Sequence, residues 1–129
     1  MIYMSSVKPE FTGKRELNYN KWHRTIGHDY FMIDLDSVEW RKDRGVVAII
    51  ERGLFTGKAT IDNIIEFKRF EIKVVSEIAE KLKVPAYLVF YTIDNDEMPY
   101  DFMVYQIFPR DNFLGKMTQE QYTNFIKKL

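Results

Sequence analysis

Tyr30–Gly53, YFMIDLDSVEWRKDRGVVAIIERG, is the stretch whose reading decides the fold. It reads as a β-hairpin with acidic residues on both arms, Asp34, Asp36 and Glu39 on the first and Glu51 closing the second. The turn between them is Arg41–Gly45. The second arm, Val46-Val47-Ala48-Ile49-Ile50, is a continuous apolar run, the pattern of a strand buried on both faces. A carboxylate closing such a strand sits at the edge of the core, where an unpaired negative charge is costly. A divalent cation, Mg²⁺ or Mn²⁺, held by carboxylates from neighbouring strands would offset that cost.

Working outward from the hairpin, a short helix is expected on its N-terminal side over Arg15–Ile26. Tyr19, Trp22, His23 and Ile26 share one face of it, and Gly27 ends it. Residues 1–13 read as a loosely attached arm. On the C-terminal side Leu54–Ala59 reads as a loop and Thr60 as the N-cap of a long helix over Ile61–Lys83. Strands follow over Ala86–Tyr91 and Phe102–Phe108, joined by the turn-rich Asp94–Pro99. Thr118-Gln119-Glu120-Gln121 spells a capping box, with Met117 and Tyr122 as a hydrophobic staple, and opens a last helix over Gln119–Lys128. The order α-β-β-α-β-β-α predicts one α/β domain with a mixed sheet flanked by helices.

Composition narrows the function classes. Cysteine is absent, which removes disulfides, thiolate catalysis and cysteine-ligated zinc. That usage fits an intracellular, cytoplasmic setting. No apolar run approaches transmembrane length and no signal-peptide layout is present at the N-terminus. Formal net charge is zero, so nucleic acid would have to be held by a local basic patch rather than by bulk charge. The first 30 residues hold five Lys/Arg against three Asp/Glu, while residues from Asp94 onward hold four against six. The N-terminal side is therefore the expected phosphate-facing side, with Lys14, Arg15, Lys21, Arg24, Arg52 and Lys58 as the pool. No glycine-rich phosphate loop, GxSxG turn or HExxH helix is present.

One residue breaks the pattern of the long helix. Its apolar stripe is Ile61, Ile64, Ile65, Ile72, Val75, Ala79 and Leu82, and at 3.6 residues per turn Lys68 falls at the centre of that stripe, with Glu71 at its border. A lysine there snorkels, pairs, or is aimed at something anionic. The carboxylate cluster of the hairpin that precedes the helix is the anion it would reach.

Taken together these motifs resemble the PD-(D/E)XK, or restriction-endonuclease-like, nuclease superfamily. Asp34-Leu35-Asp36-Ser37-Val38, a turn, and Val46-Val47-Ala48-Ile49-Ile50-Glu51 are similar to its core motif in order and spacing. Glu77–Pro85 and the strand after it resemble the corresponding helix and strand of small nucleases of that group, several of them archaeal or viral. The resemblance implies a Mg²⁺- or Mn²⁺-dependent nuclease acting on DNA, with Asp36 and Glu51 holding the metal and the Arg52 carbonyl completing its shell. Asp34 is the alternative aspartate. Where the motif has its lysine this chain has Gly53. The resemblance then implies Lys68 as the catalytic lysine, moved to the following helix as in some members, and His23 as an additional metal ligand. Arg24, Arg52 and Lys58 would contact substrate. Two alternatives stay open: a Holliday-junction-resolvase-like endonuclease acting as a homodimer, and a catalytically inactive nuclease-fold module that binds DNA without cutting it, which Gly53 favours.

Overall fold

The computed structural model describes residues 17–129, and of Leu17 the backbone alone. The expected arm over residues 1–13, and Lys14 and Arg15, lie outside the described residues. The chain divides into two compact units, residues 1–33 and 34–129.

In the first unit α1 spans Leu17–Arg24. Its side chains stack on one another: the ring centroids of Tyr19 and Trp22 are 5.3 Å apart, and His23 lies 6.3 Å from each. The helix unwinds through hydrogen bonds from Thr25 N–H to Trp22 O and from Ile26 N–H to His23 O. Gly27 then takes φ +152°, a conformation unfavourable to any residue with a Cβ.

The second unit is a five-stranded sheet in the order β1-β2-β3-β4-β5, with β1 Ser37–Arg41, β2 Gly45–Leu54, β3 Ala86–Ile93, β4 Pro99–Phe108 and β5 Asn112–Thr118. Neighbours are antiparallel except β2 and β3, which run parallel because α2 (Ile61–Phe67) and α3 (Arg69–Leu82) form the crossover between them. Alternate residues of the strands face opposite sides. Ala48, Ile50, Tyr87, Val89, Phe102 and Val104 bury one face under Tyr122, Phe125 and Ile126 of α4 (Gln119–Lys128). Ile49 and Ala86 bury the other under Val75 and Ala79 of α3. The apolar run of β2 is thus buried on both faces, as its composition requires.

The caps fall where the sequence places them. Thr60 accepts a hydrogen bond from Asn63 N–H, and Thr118 and Gln121 bond reciprocally as a capping box. Met117 and Tyr122 both pack on the α4-side core.

The α/β class and mixed sheet stand, but the element order is corrected to α-β-β-α-α-β-β-β-α. The expected single helix over 61–83 is interrupted at Lys68, which has φ −91° and ψ 10°. No proline or glycine marks the break. Lys68 N–H still donates back to Ile64 O and Ile65 O, and its carbonyl accepts from Ile72 N–H, so α3 restarts at once. The extra strand, β5, has Gly115 at φ +120° beside a register shift, and a glycine at a bulge hides the alternation by which a strand is read. The first arm of the hairpin is also shorter than expected. Asp34 and Asp36 precede β1 rather than lying in it, and only Glu39 is a strand residue. The second arm is longer: β2 continues three residues past Glu51, because Glu51 through Leu54 pair in parallel with Leu88 through Tyr91. Glu51 sits inside the strand instead of closing it.

Candidate acid–lysine site

Leu35 fixes the entry to β1 by packing against the α3-side core. Ser37 Oγ then donates to Ile50 O at 2.8 Å, which starts the ladder. Between these anchors Asp36 turns its carboxylate toward β2 and accepts from Arg52 N–H through Oδ2 at 2.9 Å. Its own N–H donates to Glu51 Oε2 at 3.0 Å. Across the hairpin Glu51 therefore grips the backbone of Asp36, and Asp36 grips the backbone of Arg52, the residue after Glu51. Arg52 reinforces the clasp, its guanidinium Nη2 donating to Asp36 O at 3.0 Å.

Glu51 is 3% exposed, the sole buried charged residue among those described. Burial pushes its pKa above the ordinary 4.5. The hydrogen bond from Asp36 N–H pulls the other way, the Asp36 charge pushes up, Lys68 pulls down and Glu71 pushes up. Three carboxylates and one ammonium therefore act on one another here, with an excess of negative charge.

Lys68 lies beside this site in the space left by a glycine, within electrostatic influence of Glu51 but, among the described residues, without an ion pair to either acid. A Cβ on Gly53 would meet the Phe90 ring at 3.0 and 3.1 Å and the Lys68 Cε at 3.8 Å. Phe90, from the adjacent strand and fully buried, occupies the place a side chain at 53 would need. Glu71, three residues further on α3, was visible in the sequence only as a border residue of the stripe, and the structure brings it within electrostatic reach of Glu51.

The other expected site residues are placed as follows. Asp34 is exposed two residues before Asp36. His23 lies in the first unit, stacked on Tyr19 and edge-on to Trp22. Arg24 is exposed on α1 and Lys58 in the loop before α2, where its N–H donates to Thr56 Oγ1 at 3.4 Å. The side chain of Arg52 is directed to the opposite sheet face from Glu51, where its charge lowers the pKa of Tyr122 against a larger upward push from burial.

Among the described residues no group of three or more His, Asp or Glu side chains has the spacing to hold a metal ion. The donor set nonetheless suits Mg²⁺ or Mn²⁺, which take one or two carboxylates and leave the remaining positions to water and substrate. Asp36 Oδ1 and Glu51 Oε1 accept no hydrogen bond among the described residues. A cation there would meet a buried carboxylate that otherwise accepts one backbone N–H and feels the Lys68 charge from a distance. Comparison with family models, with curated proteins and with solved structures gives no match. No helix among the described residues is long and apolar enough to cross a membrane.

Proposed function

We propose that this chain is a metal-dependent nuclease of the restriction-endonuclease-like kind, hydrolysing phosphodiester bonds in DNA at the site formed by Asp36, Glu51 and Lys68. The observation that supports it most is the position of Lys68. Its Cε stands beside the very residue, Gly53, where the resembling motif has its lysine, on the sheet face that bears Glu51. A lysine supplied by the helix and a glycine that leaves it room are complementary changes.

Asp36 and Glu51 would hold the ion, with the Arg52 carbonyl as a further ligand. The bound ion supplies charge neutralisation at the phosphoryl group and a more acidic water. Lys68 brings a fixed positive charge to the same place, where it orients the attacking water and stabilises negative charge developing on the phosphate oxygens. Glu71 adds to the negative potential that draws the cation in. Exposed basic residues of the same unit, Lys58 among them, would contact the substrate backbone without reading sequence.

A second reading is favoured by the clasp itself. Asp36 and Glu51 each spend one oxygen on a backbone N–H, as acids do when their task is to fasten a hairpin. The protein would then be a nuclease-fold module that binds DNA without cutting. Incubation with junction, flap, single-stranded and duplex DNA in Mg²⁺ or Mn²⁺ separates the two. Cleavage that is lost in Asp36→Asn and Lys68→Met supports the nuclease. DNA binding with no cleavage under any metal supports the module. Preferential, paired cutting of junctions by a dimer would identify a resolvase.

A further inference from the structure

The sheet face that bears Glu51 continues into a cavity of about 450 Å³ between the α2–α3 crossover and strands β4 and β5. Leu88, the register partner of Glu51, forms its inner wall together with Ile65 and Ile72. Tyr105 and Phe113 form the outer wall, their ring centroids 4.7 Å apart at 37°. Phe90, whose ring fills the space above Gly53, meets Tyr105 edge-on at 6.2 Å. Three aromatic rings thus run in sequence from the acid–lysine site to the rim. The rim itself is polar. On the helix side Arg69 and Glu66 form an ion pair of 3.1 Å, and on the strand side stand Asp111 and Asn112.

The dimensions select the occupant. The volume falls in the range of sites for small flat groups. A protein partner would instead need a face of about 800 Å² on each side. Apolar walls with charged and amide groups at the edge suit a heteroaromatic ring, whose faces are apolar and whose edges hydrogen-bond. Adjacent strands lie about 4.8 Å apart, so Tyr105, two strands from Glu51, is about 10 Å across the sheet. A stacked strand advances about 3.4 Å per nucleotide and an unstacked one more, so a phosphate at Glu51 puts a base about one to three nucleotides away over the cavity.

We propose that this cavity takes one unpaired nucleobase of the strand whose phosphate occupies the acid–lysine site, so that the substrate must present at least one base outside a duplex stack. The inference deepens the nuclease reading and rests on it. It is tested by binding in Ca²⁺ or EDTA, without turnover, using a single strand labelled with 2-aminopurine, a blunt duplex of the same sequence, and a free nucleoside monophosphate. The expected result is quenching on the single strand and little binding of the other two. Phe113→Ala should weaken single-strand binding about tenfold or more, as loss of one stacking partner does, and Phe113→Trp should keep it. Phe113 is 54% exposed on the edge strand, so its truncation leaves the thermal midpoint close to that of the parent protein. Ile72→Trp, which fills the cavity from α3, should act like Phe113→Ala.

Equal binding of duplex and single strand, unmoved by Phe113→Ala, overturns the base pocket while leaving the metal-dependent cleavage assay to judge the acid–lysine site. Equally tight binding of the free mononucleotide overturns the assignment to a strand. Binding that depends on Phe113 but without cleavage in Mg²⁺ or Mn²⁺ keeps the pocket and removes the reaction from the site beside it.

Discussion

Replacing Glu51 by Gln should make the metal-free protein more stable, the reverse of what removing a hydrogen-bonded core residue usually does. The side chain is 3% exposed, and burial is the foremost influence on its carboxyl. Desolvating an ion in a protein costs several kcal/mol even after relaxation. Gln keeps the shape and still accepts from Asp36 N–H, but exchanges a charge-assisted hydrogen bond for a neutral one, a loss of about 1 kcal/mol. Repulsion from Asp36 and Glu71 disappears, and attraction to Lys68 disappears with it. The balance is a gain of about 1–2 kcal/mol, or roughly 4 °C in melting temperature per kcal/mol for a chain of this size. The gain depends on pH. Folding raises the Glu51 pKa above 4.5, so the native state binds the extra proton and the parent protein loses stability as pH rises through the folded value. Melting curves in EDTA should therefore show Glu51→Gln ahead at pH 8 and level with the parent at pH 4. A variant that is less stable at pH 8, or ahead by the same margin at both pH values, would refute the reasoning. With Mn²⁺ added the order should reverse, because the parent gains an ion and the variant does not.

Other consequences follow from the same geometry. Gly53→Ala drives a Cβ to 3.0 Å from the buried Phe90 ring and should cost about 1–3 kcal/mol, read as a lower midpoint in urea. Lys68→Met should reduce any cleavage by about a hundredfold or more while leaving the melting temperature and Mn²⁺-induced stabilisation near those of the parent, which separates a catalytic lysine from a structural one. Thr118→Ala removes the side-chain acceptor of the α4 capping box and should cost about 1 kcal/mol without affecting metal binding.

The parts legible in the sequence are those specified by local chemistry. The apolar run of β2, the Thr60 cap and the Thr118 capping box each need only a few adjacent residues to be recognised. Lys68 was legible as an anomaly because a charge at the centre of an apolar stripe contradicts the stripe. What escaped was set by distant partners. That β2 continues through Glu51, Arg52 and Gly53 depends on pairing with β3, some 35 residues away, and Glu-Arg-Gly does not announce a strand. The off-strand position of Asp36 follows from Leu35 being drawn into the α3-side core. The break at Lys68 has no proline or glycine to announce it, and β5 is an edge strand interrupted by Gly115, so neither left a periodic signal. Glu71 needed the α3 axis to be known before it could be seen beside Glu51. The meaning of Gly53 likewise lies in Phe90 and Lys68, which share its space.

The central claim is that Asp36 and Glu51 hold one divalent ion under Lys68. Anomalous diffraction from crystals soaked in Mn²⁺ tests it most directly. A single strong peak is expected at about 2.0–2.3 Å from a carboxylate oxygen of each acid, with the Lys68 ammonium on the same side of the sheet. A map with no peak between these acids, or with manganese bound only elsewhere on the chain, would contradict it.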